Sequence, residues 1–166
     1  MIIPSHSYKA KIVKQFSDEY HVLVETGTYY GDMVMVQLGN FREIHSIELG
    51  DDLYAKAANR FRDESHVTIY HGDSIKVLPE ILKKIEEPVL FWLDAHFSGG
   101  VTALGETPCP LLWELDIILT SKYAHGILID DARCFGLLKG FPTISEIEDR
   151  LGDIQIKNDI IWKGLQ

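Results

Sequence analysis

Cysteine is scarce in this chain, with Cys109 and Cys134 the only two among 166 residues. They show no metal-type spacing and fall in different expected loops, so neither a disulfide framework nor a zinc site organises the fold. They read as two reduced thiols of a cytoplasmic protein. Positive charge is also in short supply: Lys and Arg total 16 against 25 Asp and Glu, the net charge is -9, and no basic block occurs. Such a chain is a poor grip for nucleic acid or an anionic membrane surface. No apolar run approaches membrane-spanning length, and the opening residues lack the apolar core of a signal peptide. A last absence concerns glycine: positions 27 and 31 hold it, but Tyr29 stands between them. The G-x-G-x-x-G fingerprint is therefore missing, which argues against an NAD or FAD site.

What is present begins at His21–Gly31, H-V-L-V-E-T-G-T-Y-Y-G. An apolar run ends at Glu25, a small-residue turn follows, and Gly31 opens a periodic apolar segment. This order reads as strand, tight turn and helix, which sets a ligand at the strand's carboxyl end. Residues 8–17 have helical spacing before it. After it, helices over 31–39, from Asp51 through Phe61 and over Ser74–Ile85 alternate with strands Glu43–Leu49, His66–His71 and Pro88–Asp94. The last of these is the most continuously apolar, as a strand buried on both faces should be. A long loop, His96–Pro110, precedes a helix from Leu111 to about Ser121 and a strand His125–Asp130. Pro142 then opens a helix carrying Ile144, Ile147 and Leu151, and the tail reads as two short strands turning at Asn158-Asp159. The expected fold is a single α/β domain over 1–166, a Rossmann-like doubly wound sheet, mostly parallel with an antiparallel C-terminal edge hairpin.

The acids are placed regularly. Glu25, Glu48, Asp73, Asp94 and the pair Asp130-Asp131 stand at the carboxyl ends of five successive expected strands. In an open parallel sheet that edge binds ligands, and six carboxylates along it repel one another unless something offsets them. Each acid also has a plain structural role open to it. Asp73 can simply cap the helix that Ser74 begins, and Glu48 can be a solvated acid. An acid about 20 residues after a glycine turn is, however, placed to bind a ribose hydroxyl pair, and Glu48 stands at that distance from Gly27.

Taken in order, E-T-G-T-Y-Y-G, I-H-S-I-E-L, H-G-D-S and F-W-L-D-A-H resemble the successive motifs of class I S-adenosylmethionine-dependent methyltransferases over about residues 20–135. The resemblance implies strand order 3-2-1-4-5-7-6. It also implies a cofactor site of Glu25, Gly27, Thr28, Gly31, Glu48, Asp73, Ser74 and Asp94, with the two glycines bordering the methionine part, Glu48 at the ribose and Asp73 at the adenine. Tyr29 departs from the commonest form of the turn, where glycine is usual. The pair F-W-L-D-A-H and I-L-I-D-D-A resembles the cation-dependent O-methyltransferases of the catechol and macrocin types. That narrower likeness implies Mg²⁺ on Asp94, Asp130 and Asp131. A hard divalent ion prefers such oxygen ligands and, bound to a substrate hydroxyl, lowers its pKa. Adjacent Asp130 and Asp131 point to opposite faces if extended, so both reach one ion only if the strand turns there.

Asp94 and His96 are the candidate catalytic residues. His96 lies two residues beyond Asp94, on the same side of a continuing strand, where it reaches the metal, serves as a base or is a surface histidine at a loop start. The resulting expectation is methyl transfer to a hydroxylated small metabolite or sugar, assisted by a divalent metal. Nucleic acid and membrane are not expected as partners. A second subunit, or the Gly-rich loop, could complete the substrate site. Two other readings stand beside it: a non-catalytic nucleotide-binding domain acting through a partner, and a metal-dependent hydrolase. The hydrolase leaves Gly27, Glu48 and Asp73 without a role.

Overall fold

The computed structural model describes residues 5–94 and 109–164. His96 and most of the expected loop after Asp94 lie outside these residues. The described chain runs α1 (His6–Lys14), β1 (Val22–Thr26), α2 (Asp32–Gln37), β2 (Glu43–Glu48), α3 (Asp51–Arg60), β3 (Val67–His71), α4 (Ser74–Leu82) and β4 (Leu90–Leu93). It resumes with α5 (Leu111–Ile118), β5 (Gly126–Ile129), α6 (Ile144–Leu151), β6 (Gln155–Lys157) and β7 (Ile160–Lys163). The strands form one sheet in the order β3-β2-β1-β4-β5-β7-β6. The first five pair in parallel, and β7 pairs antiparallel with both β5 and β6. The expected order is the one found.

Strand periodicity divides the core into two layers. Val22 and Val24 of β1, with Phe91 and Leu93 of β4 and Ile127 and Ile129 of β5, face the layer that includes Leu78, Ile81, Leu115 and Ile147 of α4, α5 and α6. Leu23, Leu90, Trp92 and Leu128 alternate to the other face, against Val13, Val34 and Phe61. Side chains two apart on a strand share a face, so the strand-end residues inherit this alternation. Glu25, Asp94 and Asp130 continue toward the α1 side, and Thr26 continues toward α4 and α5.

Several ends differ from expectation for local reasons. The first helix begins at His6 because Ser5 caps it, its hydroxyl accepting from Tyr8 N. Pro79 stands inside α4, just over a turn from its start. The hairpin turns at Asn158-Asp159 as expected, both with positive φ (51° and 63°), the geometry of a tight turn matched to strand twist. Thr143 and Glu146 cap α6 reciprocally. Among the described residues no helix is long and apolar enough to cross a membrane.

Candidate functional site

Strand order reverses between β1 and β4, since β1 is followed leftward by β2 and β3 and rightward by β4 and β5. The carboxyl ends of β1 and β4 therefore flank the crevice where such sheets bind ligands. The β1 turn is held tightly there. Gly27 N and Thr28 N both donate to the Ile47 carbonyl, at 2.9 and 3.1 Å. Gly27, Tyr29 and Gly31 have φ of 87°, 52° and 78°. At Gly31 a Cβ would meet Phe61 Cε2 at 2.5 Å, so both backbone angle and space demand glycine. Tyr29 takes the left-handed conformation without that freedom, and its ring packs edge-on against Tyr30 with centroids 4.3 Å apart.

Beneath this turn lies a dry chain of polar groups. Glu25 is only 2 % exposed. Ser46 Oγ donates to Glu25 Oε2 at 2.5 Å, and the Thr28 and Ser46 hydroxyls are 2.6 Å apart. Burial pushes the Glu25 carboxyl up to about 8; the Ser46 hydrogen bond opposes this and the Glu48 charge adds to it. Glu48, also buried, accepts from Tyr29 N at 2.7 Å and Gly50 N at 2.8 Å. It thus ties the β1 turn to the start of α3, while each oxygen keeps a second lone pair for a ligand hydroxyl. Asp73 does cap α4, its Oδ1 accepting from Ile75 N at 3.0 Å. Ser74 beside it is buried.

Two residues of the site, Glu114 and Lys9, are not singled out by the sequence. Glu114 of α5 is 1 % exposed, and its Oε1, like Thr26 Oγ1, is buried without a hydrogen-bond partner among the described residues. Burial lifts its carboxyl to about 7, against the pull of the Ser74 hydroxyl and with the push of the Asp73 charge. It falls on the same helical stripe as Leu111, Leu115 and Ile118, all buried. An acid within an apolar stripe is the signal that could have revealed it. Glu114 also lines a small pocket with Leu93, Cys109, Phe135 and Asp130.

The β5 end is built differently. Asp131 adopts φ 56°, so the strand does turn and both carboxylates of the pair converge. They converge on an ammonium. Lys9 Nζ donates to Asp130 Oδ2 at 2.6 Å and to Asp131 Oδ1 at 3.1 Å. Arg133 Nη1 donates to Asp131 Oδ1 at 2.8 Å and also pairs with the buried Asp159 at the tip of the β6–β7 hairpin. Burial and the Asp131 charge raise the Asp130 pKa, and Lys9 and the Asp131 backbone N–H lower it. The expected Mg²⁺ triad is therefore not assembled as such: among the described residues no three His, Cys, Asp or Glu side chains form a group able to hold a metal. The physical reason is that Lys9 and Arg133 already supply the cations that Asp130 and Asp131 require.

No protein-family model matches the chain, and no curated protein matches it. Solved structures do. The chain is similar to an S-adenosylhomocysteine-bound methyltransferase of Podospora anserina, at 16 % identity with TM-score 0.68, covering 96 % of this chain and 80 % of that one. It is similar to the O-methyltransferase TomG of Streptomyces achromogenes in complex with S-adenosylmethionine, at 13 % identity and TM-score 0.65 with the same coverages. An O-methyltransferase of Bacillus cereus in complex with S-adenosylhomocysteine matches at 12 % and 0.64, covering 98 % and 84 %. The chain has the methyltransferase fold. Identities this low speak for the fold alone, and residue roles must come from the site itself.

Proposed function

We propose that this methyltransferase-fold chain is an S-adenosylmethionine-dependent methyltransferase acting on an oxygen of a hydroxylated small molecule. The observation that carries the reading is the buried acid set at the switch point. Glu25 and Glu48 lie together under the glycine turn, with no Lys or Arg paired to either among the described residues. An acid pair in that setting, with Glu25 protonated at neutral pH, favours a ligand whose positive charge lets Glu25 ionise and whose hydroxyls donate to Glu48. S-adenosylmethionine has both, in its sulfonium, amine and ribose. When bound it supplies a methyl group on a good leaving sulfur.

The chain's own residues would do the rest. Gly27, Thr28 and Gly31 let the backbone approach the methionine part, and Glu48 receives the ribose hydroxyls on its free lone pairs. Asp73 keeps one carboxylate oxygen beyond its cap for the adenine amine, and Ser74 and Glu114 make the floor under it polar. Asp94, at the end of β4 and hydrogen-bonded through its N–H to the Thr26 carbonyl at 3.1 Å, borders the acceptor side. His96, two residues on, remains the candidate base. An oxygen acceptor is supported by the O-methyltransferases among the structural neighbours. A divalent ion does not fit the Asp130-Asp131 pair as it stands, so no step is routed through one.

Calorimetric titration of S-adenosylmethionine tests the reading. The wild type should bind at micromolar concentration, and Asp73→Asn, which still caps a helix, should bind at least about tenfold more weakly through loss of its charge. Absence of binding by the wild type would refute the assignment.

A further inference from the structure

The cation that the β5 end of this edge needs is part of the chain. Asp130 is 3 % exposed and the Lys9 side chain 14 %, so their contact at 2.6 Å is shielded from water. A buried carboxylate of this kind is retained only when paired. Asp131, turned by its left-handed backbone, brings a second carboxylate onto the same ammonium at 3.1 Å. Lys9 comes from α1, far from the pair in sequence but fixed over it. Ala10, Ile12 and Val13 of the same helix are buried, and the Ala10 carbonyl accepts from Gln37 Nε2 at 2.8 Å. Tyr8, one residue earlier, pairs with Asn158 at the hairpin tip. Helix, hairpin and β5 end thus hold the ammonium between the two carboxylates, with two of its three N–H donors used and no third protein acceptor among the described residues.

We infer that Lys9 is a built-in cation that takes the place of a divalent metal at this sheet edge, leaving the chain independent of Mg²⁺ and presenting one N–H donor to the acceptor. The inference rests on the transferase reading for the acceptor, but its charge balance does not. An ammonium and a divalent ion compete for the same two carboxylates, and both cannot sit between them at hydrogen-bonding and coordination distance. Arg133 is engaged by Asp131 and Asp159 and makes no ion pair with Asp130 among the described residues, which leaves Lys9 as the cation on that carboxylate.

The test is Mn²⁺ binding followed by electron paramagnetic resonance, with melting temperature measured with and without Mg²⁺. The wild type and Lys9→Arg should leave Mn²⁺ free at millimolar concentration and show no Mg²⁺-dependent melting shift. Lys9→Met, which keeps the apolar stem, should bind Mn²⁺ at least about tenfold more tightly and melt lower, with Mg²⁺ restoring part of the loss. Adding Asp130→Asn to Lys9→Met should abolish that binding. Tight Mn²⁺ binding by the wild type overturns the inference, and so does a folded Lys9→Met that binds no more Mn²⁺ than the wild type. If Lys9→Met does not fold, Lys9→Gln is read by the same criteria. S-adenosylmethionine binding by the wild type, measured in parallel, reports on the transferase reading alone: its failure leaves the metal result standing, and the reverse.

Discussion

Replacing Glu25 with Gln tests the electrostatics of the site most directly. The folded carboxyl holds its proton up to about pH 8, whereas an unfolded chain releases it near 4.5. Between those values the folded state binds more protons than the unfolded one, so stability falls as pH rises through the window, and the loss is complete above about pH 8. Each pH unit of that gap corresponds to about 1.4 kcal/mol, which sets a ceiling on the order of 4–5 kcal/mol on what ionised Glu25 costs the fold. Glutamine keeps the shape and an oxygen to accept from Ser46 Oγ, and it never ionises.

At pH 5 the two proteins should therefore melt within a few degrees of each other. At pH 8.5 Glu25→Gln should melt higher by on the order of 10 °C, since a domain of this size moves roughly 2–4 °C per kcal/mol. Circular-dichroism melts at the two pH values measure this, and the variant-minus-wild-type difference cancels the titrating groups that do not interact with Glu25. An offset that is the same at both pH values would refute the buried-acid account.

Two further perturbations probe the frame that carries these groups. Gly31→Ala should destabilise the fold by about 1–3 kcal/mol, because the new methyl meets Phe61 at 2.5 Å on a residue with φ 78°; a urea melt should show Phe61→Leu recovering the steric part only. Thr143→Ala removes the capping box of α6 and should cost about 1 kcal/mol, while calorimetry should show S-adenosylmethionine affinity unchanged, since α6 lies away from the β1 turn.

The fold was legible because its signals are local. Apolar, β-forming runs bounded by turn residues placed all seven strands, and the acids marked where five of them end. The glycine turn was readable for the same reason: Gly31 is required by an angle within its own loop, and Phe61 at the C-cap of α3 adds a steric demand that the sequence did not show. Glu114 was not read, because one acid in an apolar stripe gives no hint of which neighbours it will meet across the core. The fate of Asp130 and Asp131 was hidden for a stronger reason. Whether two adjacent carboxylates hold a metal depends on what cation the rest of the chain delivers, and Lys9 stands 121 residues away from Asp130. In sequence it was one more basic residue of an amphipathic helix.

The two ends of the edge are consequently unlike. At β5 the carboxylates are already paired with Lys9 and Arg133 before any ligand arrives. At β1 and β2 the acids are buried with only backbone N–H groups and hydroxyls for company, and Glu25 avoids the cost by keeping its proton. Glu114, beside Asp73 and Ser74, behaves in the same way. A positively charged ligand therefore gains most at the glycine turn, where it relieves repulsion and permits an acid to ionise. At the β5 end it would have to displace an ammonium already in place. On the proposed transferase reading, that asymmetry would orient a sulfonium cofactor toward β1 and leave the Lys9 end to the acceptor, through charge balance before any shape complementarity is considered.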